Sequence, residues 1–152
     1  MASTQIDSLK TLFDRDLDKL TQELELFQDP QKLWTAPEGV SNPAGTLILH
    51  LCGNLQHFIG ATLGSTGYVR QRDLEFSRRD VTVKELKEQI SVTKDTIVNT
   101  LSGLSPESLE DLYPLELWKK RFTTGFFLIH LHSHLNYHLG QINYLRRILQ
   151  DS

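Results

Sequence analysis

The sequence predicts an all-α protein, a four-helix bundle with long crossover connections, and two observations predict it. Every strong apolar pattern in the 152 residues returns at three- and four-residue steps, the period of an amphipathic helix. No long stretch alternates apolar and polar residues as a strand does. Long polar connections separate the helical segments, so we expect crossovers rather than a simple up-and-down order.

The first helix is predicted between a cap at Ser3 or Thr4 and an end near Asp29 and Pro30. Short hydroxyl side chains cap helix starts, and Pro disfavours the helical conformation of the residue before it. The apolar face of this helix consists of Ile6, Leu9, Leu12, Phe13, Leu17, Leu20, Leu24 and Phe27.

The second helix is predicted from a start at Asn42 and Pro43 to about Leu63. Asn caps helices and Pro is favoured in the first turn. A loop over residues 31–45 precedes it, and a polar connection over residues 64–80 follows. The connection contains a basic patch, Arg70, Arg72, Arg78 and Arg79. Such a patch is usually solvated, and an anion-binding rim is the alternative.

The third and fourth helices follow the same pattern. Thr82 and Glu85 form a predicted capping box at the start of the third helix, which continues to Leu101. A loop with a possible helical turn over residues 105–112 comes next. Thr123 or Thr124 caps the last and longest helix, whose apolar positions continue to Leu149.

Length and composition predict one domain over residues 1–152, with one core. Lys and Arg number 16 against 19 Asp and Glu, and the net charge of −3 argues against nucleic-acid binding. No apolar run approaches a membrane span. A single Cys excludes an intrachain disulfide, and the first ten residues contain no apolar stretch, so we expect a cytoplasmic protein.

All six histidines fall on the second and fourth predicted helices: His50, His57, His130, His132, His134 and His138. His134 and His138 are four residues apart, so their side chains lie one turn apart on one helix face. A pair with this spacing is a preformed bidentate metal site. Apolar residues share this side of the helix, namely Phe127, Leu131, Leu145 and Leu149, which predicts that both rings point inward.

The second helix offers His50 or His57 as a third ligand, on nearly one face with Asn54. These two histidines are seven residues apart, about 10 Å along the axis, so they cannot both bind an ion held by the pair. His130 lies one turn before His134 and is a possible outer or alternative ligand. His132 points to the opposite side, and we expect it to be structural or exposed.

Other residues near the histidines are not predicted to bind the metal. Gln141 lies one turn after His138 and either orients a ring or is simply polar surface. Cys52 lies about 200° around the helix from His50, so we expect a small core residue and not a catalytic thiol. The large aromatics are expected to pack or to line the mouth of a cavity: Trp34, Trp118, Tyr137 and Tyr144.

Two segments carry a family resemblance. GTLILHLCGNLQHFIG (residues 45–60) resembles the second-helix motif of the DinB/YfiT-like metalloenzyme superfamily, and HLNYHLGQINYLRR (residues 134–147) resembles its last-helix motif. The resemblance implies a crossover four-helix bundle, usually a homodimer. It also implies one divalent ion, zinc or nickel by our expectation, held by His50, His134 and His138.

The activities known in this superfamily include S-transfer with low-molecular-weight thiols. The resemblance therefore implies a metal-dependent thiol S-transferase acting on a small molecule, while the catalytic residues stay unassigned. Two other classes remain open at this stage. One is a non-catalytic metal- or ligand-binding stress protein, and the other is a helical interaction module without metal.

Overall fold

Five helices carry the fold of residues 4–150, the part of the chain that the computed structural model describes. They are α1 (Gln5–Leu26), α2 (Ala44–Leu55), α3 (Arg72–Ser77), α4 (Val83–Ser102) and α5 (Thr124–Gln150). Within these residues there are no strands, only two isolated bridges in the connection before α5. The predicted all-α class is confirmed.

The four long helices form a bundle in which consecutive helices are not always neighbours. Helix α1 packs against α4 and α5, and α2 packs against the same two helices. Helices α1 and α2 therefore occupy diagonal corners, so the chain must cross the bundle between them. This arrangement is the crossover topology that the long connections predict, and it places α2 directly beside α5.

Helix α2 is buried on all sides. All of its residues from Ala44 to Leu55 are shielded from solvent, including the polar side chains of Thr46, His50 and Asn54. Besides α4 and α5, it is covered by a 3₁₀ turn at Pro30–Trp34 and by α3. The connections on both sides of α2 in the chain thus cover this helix and shield His50 from solvent.

The end of α2 departs from α-helical geometry. Its last turns continue as a π-helical segment, Gln56–Ala61, before a final α turn at Thr62–Gly64. Side chains satisfy carbonyls in this wider segment: Thr62 donates to the His57 carbonyl at 3.0 Å, and the Tyr113 hydroxyl donates to the Phe58 carbonyl at 2.6 Å. His57 lies in this segment, about two turns beyond His50 along the helix.

Most predicted helix ends agree with the structure, with three differences. Thr82 forms the predicted capping box, and Thr4 caps α1 and also forms a capping box, with Asp7. The helical turn in the last loop is present at Pro106–Glu110. Pro43, not Asn42, is the N-cap of α2. The 3₁₀ turn at Pro30–Trp34 and helix α3 both fall in predicted loops. Ser3 lies outside the described residues, and no helix within them is long and apolar enough to cross a membrane.

A polar cluster joins α1 to α5. The Asp16 carboxylate is fully buried and accepts hydrogen bonds from Asn136 at 2.9 Å and from His132 at 2.7 Å. Arg15 adds a two-point contact at 2.8 and 3.1 Å. Burial alone would raise the pKa of Asp16, but hydrogen bonds from Arg15, Asn136 and His132 outweigh it and lower the pKa to about 2. His132 is structural, as predicted.

We predict that Asp16→Ala lowers the free energy of unfolding by about 2–4 kcal/mol, because it leaves buried donors on α5 without an acceptor. Asp14→Ala is the matched control on the same helix. Asp14 is half exposed and pairs with Lys94 at 3.1 Å, so its loss should cost less than about 1 kcal/mol. Urea unfolding at pH 7 measures both effects.

The same comparison in acid tests the charge of Asp16. Its pKa is lowered in the folded state, so its contribution to stability is present above the ordinary value of 3.8 and is lost as the pH falls toward about 2. The stability difference between the wild type and Asp16→Ala should therefore shrink between pH 5 and pH 2. A difference independent of pH would contradict the charged role of this carboxylate.

Candidate metal centre

Three histidines converge between α2 and α5. His50 comes from the middle of α2, and His134 and His138 come from successive turns of α5. The Nε2 atom of His134 lies 3.3 Å from Nε2 of His50 and 3.2 Å from Nε2 of His138. One ring nitrogen of each residue lies within 4.8 Å of the other two. His50 is buried, and the other two are half-buried.

The outer nitrogens of two rings fix which atoms face the centre. His50 Nδ1 lies 3.1 Å from the Glu75 carboxylate, and His138 Nδ1 lies 2.7 Å from Gln141 Oε1. Both partners accept hydrogen bonds at these oxygens, so both Nδ1 atoms carry the proton. The Nε2 atoms of His50 and His138 therefore present lone pairs to the centre, and Gln141 orients a ring as the sequence suggested.

This donor set fits a divalent metal ion. Two imidazole nitrogens bound to one tetrahedral zinc at 2.0–2.1 Å lie about 3.3 Å apart, close to the two separations at His134. A proton on His134 Nε2 can satisfy only one of the two lone pairs that face it, whereas a cation at the centre satisfies all three nitrogens. In addition, His134 Nδ1 is buried without a hydrogen-bond partner within residues 4–150.

The surroundings of His134 and His138 favour the neutral form of both rings. Burial lowers the pKa of His134 to about 4, and positive charge on His138 or His50 would lower it further. Burial also lowers the pKa of His138, against the hydrogen bond to Gln141. Only neutral imidazole coordinates a metal, so the site is ready to bind at neutral pH.

The carboxylate beside His50 comes from the connection between α2 and α4. Glu75 lies on α3 and is 7% exposed. Arg70 holds both of its oxygens, at 2.9 Å each. Burial raises the pKa of Glu75, but the hydrogen bonds from His50 and Arg70 outweigh it and lower the pKa, which keeps the carboxylate charged. Phe76 packs its ring 5.0 Å from that of His50.

A cavity of about 520 Å³ opens beside His138. Tyr137 and Tyr144 line it, as do Leu47 and Gln141, so two of the predicted cavity aromatics lie where the sequence suggested. None of the described residues in its wall is an acid, a lysine or an arginine. The volume and the mostly apolar wall are those of a site for a small molecule.

The remaining candidates lie outside the centre. His57 packs edge-on against Phe58, and His130 packs against Phe127 and Trp118, so neither joins the three histidines. Cys52 is a core residue, as predicted, and burial raises the pKa of its thiol to about 12.

Trp34 and Trp118, the other two aromatics expected to pack or to line a cavity, differ in burial. Trp34 is partly buried and packs on the core, whereas Trp118 is 65% exposed.

The basic patch of the crossover is not a common anion-binding rim. Arg70 is held by Glu75, Arg72 lies 5.0 Å over the Phe76 ring, and Arg78 pairs with Asp80. Arg79 donates to backbone carbonyls at 2.8 and 2.9 Å. The four side chains thus have separate partners.

Glu75 was missed by the sequence argument. A metal-binding histidine usually donates its outer nitrogen to a carboxylate or carbonyl, so an acidic partner for His50 was to be expected. The chain has 19 acidic residues, and Glu75 lies 25 positions from His50 in a connection without a clear helical period. No local pattern selects it.

The bundle and the site together define a class of protein: an all-helical bundle with a histidine triad between two of its helices. The sequence model of the DinB superfamily matches residues 12–142. The match covers most of the chain, so the chain belongs to the DinB superfamily, and the family resemblance of the two histidine segments is confirmed. A comparison with curated proteins found no match.

We predict that replacing His50, His134 or His138 with Ala weakens zinc binding by at least about 100-fold, because each supplies one of three nitrogens at the centre. His57→Ala is the control, since that ring lies outside the triad, and it should bind zinc within about twofold of the wild type. Competition with a chromophoric chelator measures the affinities. Weaker zinc binding by His57→Ala, with zinc binding by His50→Ala unchanged, would contradict the assignment of His50.

A second prediction concerns protons released by zinc at pH 5.5. Because the pKa of His134 is lowered to about 4, this ring is already neutral at that pH and has no proton to release. Fewer than three protons should therefore leave the protein. Protons should compete with zinc for His134 only near pH 4. Calorimetric titration in two buffers of different ionisation enthalpy counts the protons. Release of three protons at pH 5.5 would contradict the prediction.

Proposed function

We propose that this protein is a divalent-metal-dependent enzyme that transfers a low-molecular-weight thiol to a small electrophile. The single observation that carries the metal dependence is the set of three imidazole nitrogens converging on one point. Membership of the DinB superfamily supports the same conclusion. The choice of thiol transfer rests on the S-transfer activities known in the superfamily that the two histidine segments resemble.

Three imidazoles suit this chemistry because they leave coordination positions open. A zinc or nickel ion held by them would lower the pKa of a bound thiol, so that a thiolate forms near neutral pH. In the transfer, the thiolate sulfur forms a bond to the electrophilic carbon, and the leaving group departs with the bonding electron pair. The reaction needs no oxidant or reductant.

The chain's own residues would orient the reactants. Gln141 holds the His138 ring and also lines the cavity beside it, so it borders both the metal centre and the space for a substrate. The cavity wall contains no charged residue within the described part of the chain, which favours an uncharged electrophile there. The rings of Tyr137 and Tyr144 supply apolar contact area at its mouth.

We further propose a homodimer built on α5. Helices of globular proteins seldom expose a run of large apolar side chains. The outer face of α5 does so at five positions, each about half exposed or more: Phe126, Ile129, Tyr137, Tyr144 and Ile148. A second copy of the chain would bury this face, and the same contact would enclose the mouth of the cavity.

We predict that the zinc-loaded protein consumes a thiol in the presence of an uncharged electrophile, at a rate that depends on bound metal. A panel of low-molecular-weight thiols, followed by loss of free sulfhydryl, measures it. His134→Ala should reduce the rate to that without enzyme, and His57→Ala should leave it nearly unchanged. Stoichiometric metal binding without turnover for any thiol would contradict the transferase and favour a metal-binding bundle without catalysis.

Sedimentation equilibrium tests the dimer. We predict a mass twice the 17.4 kDa of the chain, and a monomer for Ile129→Asp, because a carboxylate would be buried in the contact. Val92→Asp on α4 is the control, since Val92 is 54% exposed and lies on another face. A monomeric wild type at micromolar concentration would contradict the proposal.

A further inference from the structure

We propose that Glu75, held by Arg70, is the positioning residue that fixes His50 for metal binding. The inference rests on the proposed metal centre but not on the proposed reaction. It assigns a role to α3, a short helix in the connection that leads from α2 to α4. This connection thereby belongs to the metal site.

The contacts around His50 define the role. The ring of a histidine on a helix can rotate, and either nitrogen can carry the proton. The Glu75 carboxylate accepts only, so its 3.1 Å contact places the proton on Nδ1 of His50 and leaves Nε2 free to coordinate. Phe76, the next residue, packs against the ring from the same helix. Residues of α3 thus fix both the tautomer and the rotation of His50.

Arg70 fixes the carboxylate in turn. Its Nε and one of its terminal nitrogens each lie 2.9 Å from a different oxygen of Glu75, a two-point contact that sets the plane of the carboxylate. The Arg70 side chain is 13% exposed, so water screens this pair little. The same terminal nitrogen of Arg70 lies 3.4 Å from His50 Nδ1, so Arg70 and His50 meet at one oxygen of the carboxylate that Arg70 holds.

Helix α2 has a glycine, Gly53, where the Glu75 carboxylate lies against it. A methyl group added to Gly53 would lie 2.0 Å from the Glu75 Oε2 atom, so only glycine lets the carboxylate rest on the helix. Gly53 is otherwise an unfavourable residue in a helix interior, where alanine is the better helix former. The glycine at this position is explained by the approach of Glu75.

A purely structural role would be to attach the crossover to α2. Both roles predict that replacing Glu75 affects stability. Only the positioning role predicts that zinc binding also weakens when the Glu75 carboxylate is kept intact but displaced from His50. Gly53→Ala makes that displacement while retaining Glu75 and Arg70. Since the atom in its way is the end of a flexible side chain, the helix itself can accept the methyl group.

The experiment is zinc binding by the full chain, in competition with a chelator, beside thermal melts of the metal-free proteins. We expect Glu75→Gln and Gly53→Ala to weaken zinc binding by about 10- to 100-fold. Asp73→Asn removes one charge from an exposed position of α3, and Gly140→Ala adds a methyl where nothing lies within 4 Å. Both controls should bind within about twofold of the wild type.

The outcomes separate this proposal from the metal centre itself. A wild type that binds no zinc contradicts the centre and the proposal alike. If the wild type binds zinc tightly and Gly53→Ala binds it within twofold of the wild type, the positioning role alone is overturned, whatever the melting temperature of the variant. If Glu75→Gln does not fold, Gly53→Ala decides: weaker zinc binding supports the role and unchanged binding overturns it.

Discussion

The convergence of three imidazoles between α2 and α5, one buried and two half-buried, is the constraint on which the other features depend. Buried nitrogens need partners, because an unpaired polar group inside a protein costs free energy. Glu75 and Gln141 serve the outer nitrogens of His50 and His138. The inner nitrogens face one another and lack a common donor among the described residues. A divalent ion bound among them would supply that common partner.

Helix α5 carries out two polar tasks at once. His134 and His138 face α2, whereas His132 and Asn136 face α1, where they bind the buried Asp16. Residues two positions apart on a helix lie about 200° apart, so the alternation of histidines along this helix separates the two tasks. The Asp16 cluster joins α5 to α1, and this contact holds the helix that presents two of the three candidate ligands.

The connections between helices contribute as much to the site as the helices do. Helices α1 and α2 lie at diagonal corners, and the connections on both sides of α2 in the chain cover it, so that His50 becomes a buried residue. One crossover also delivers Glu75 and Arg70 to the back of the His50 ring. Burial, charge and orientation at the site therefore follow from the topology of the bundle.

The sequence by itself determined the helical class, a cap near Thr4, the capping box at Thr82, and the shared face of His134 and His138, because these depend on spacing within one segment. It left His50 and His57 as alternatives until a family motif was considered, since the two lie on nearly one helix face and the packing of α2 against α5 decides which of them meets His134. Only the tertiary structure decided the partner of His50, the contact of Glu75 with Gly53 and the role of His132. Each of these joins residues far apart in the chain, and a local pattern carries no information about which distant residue will lie opposite.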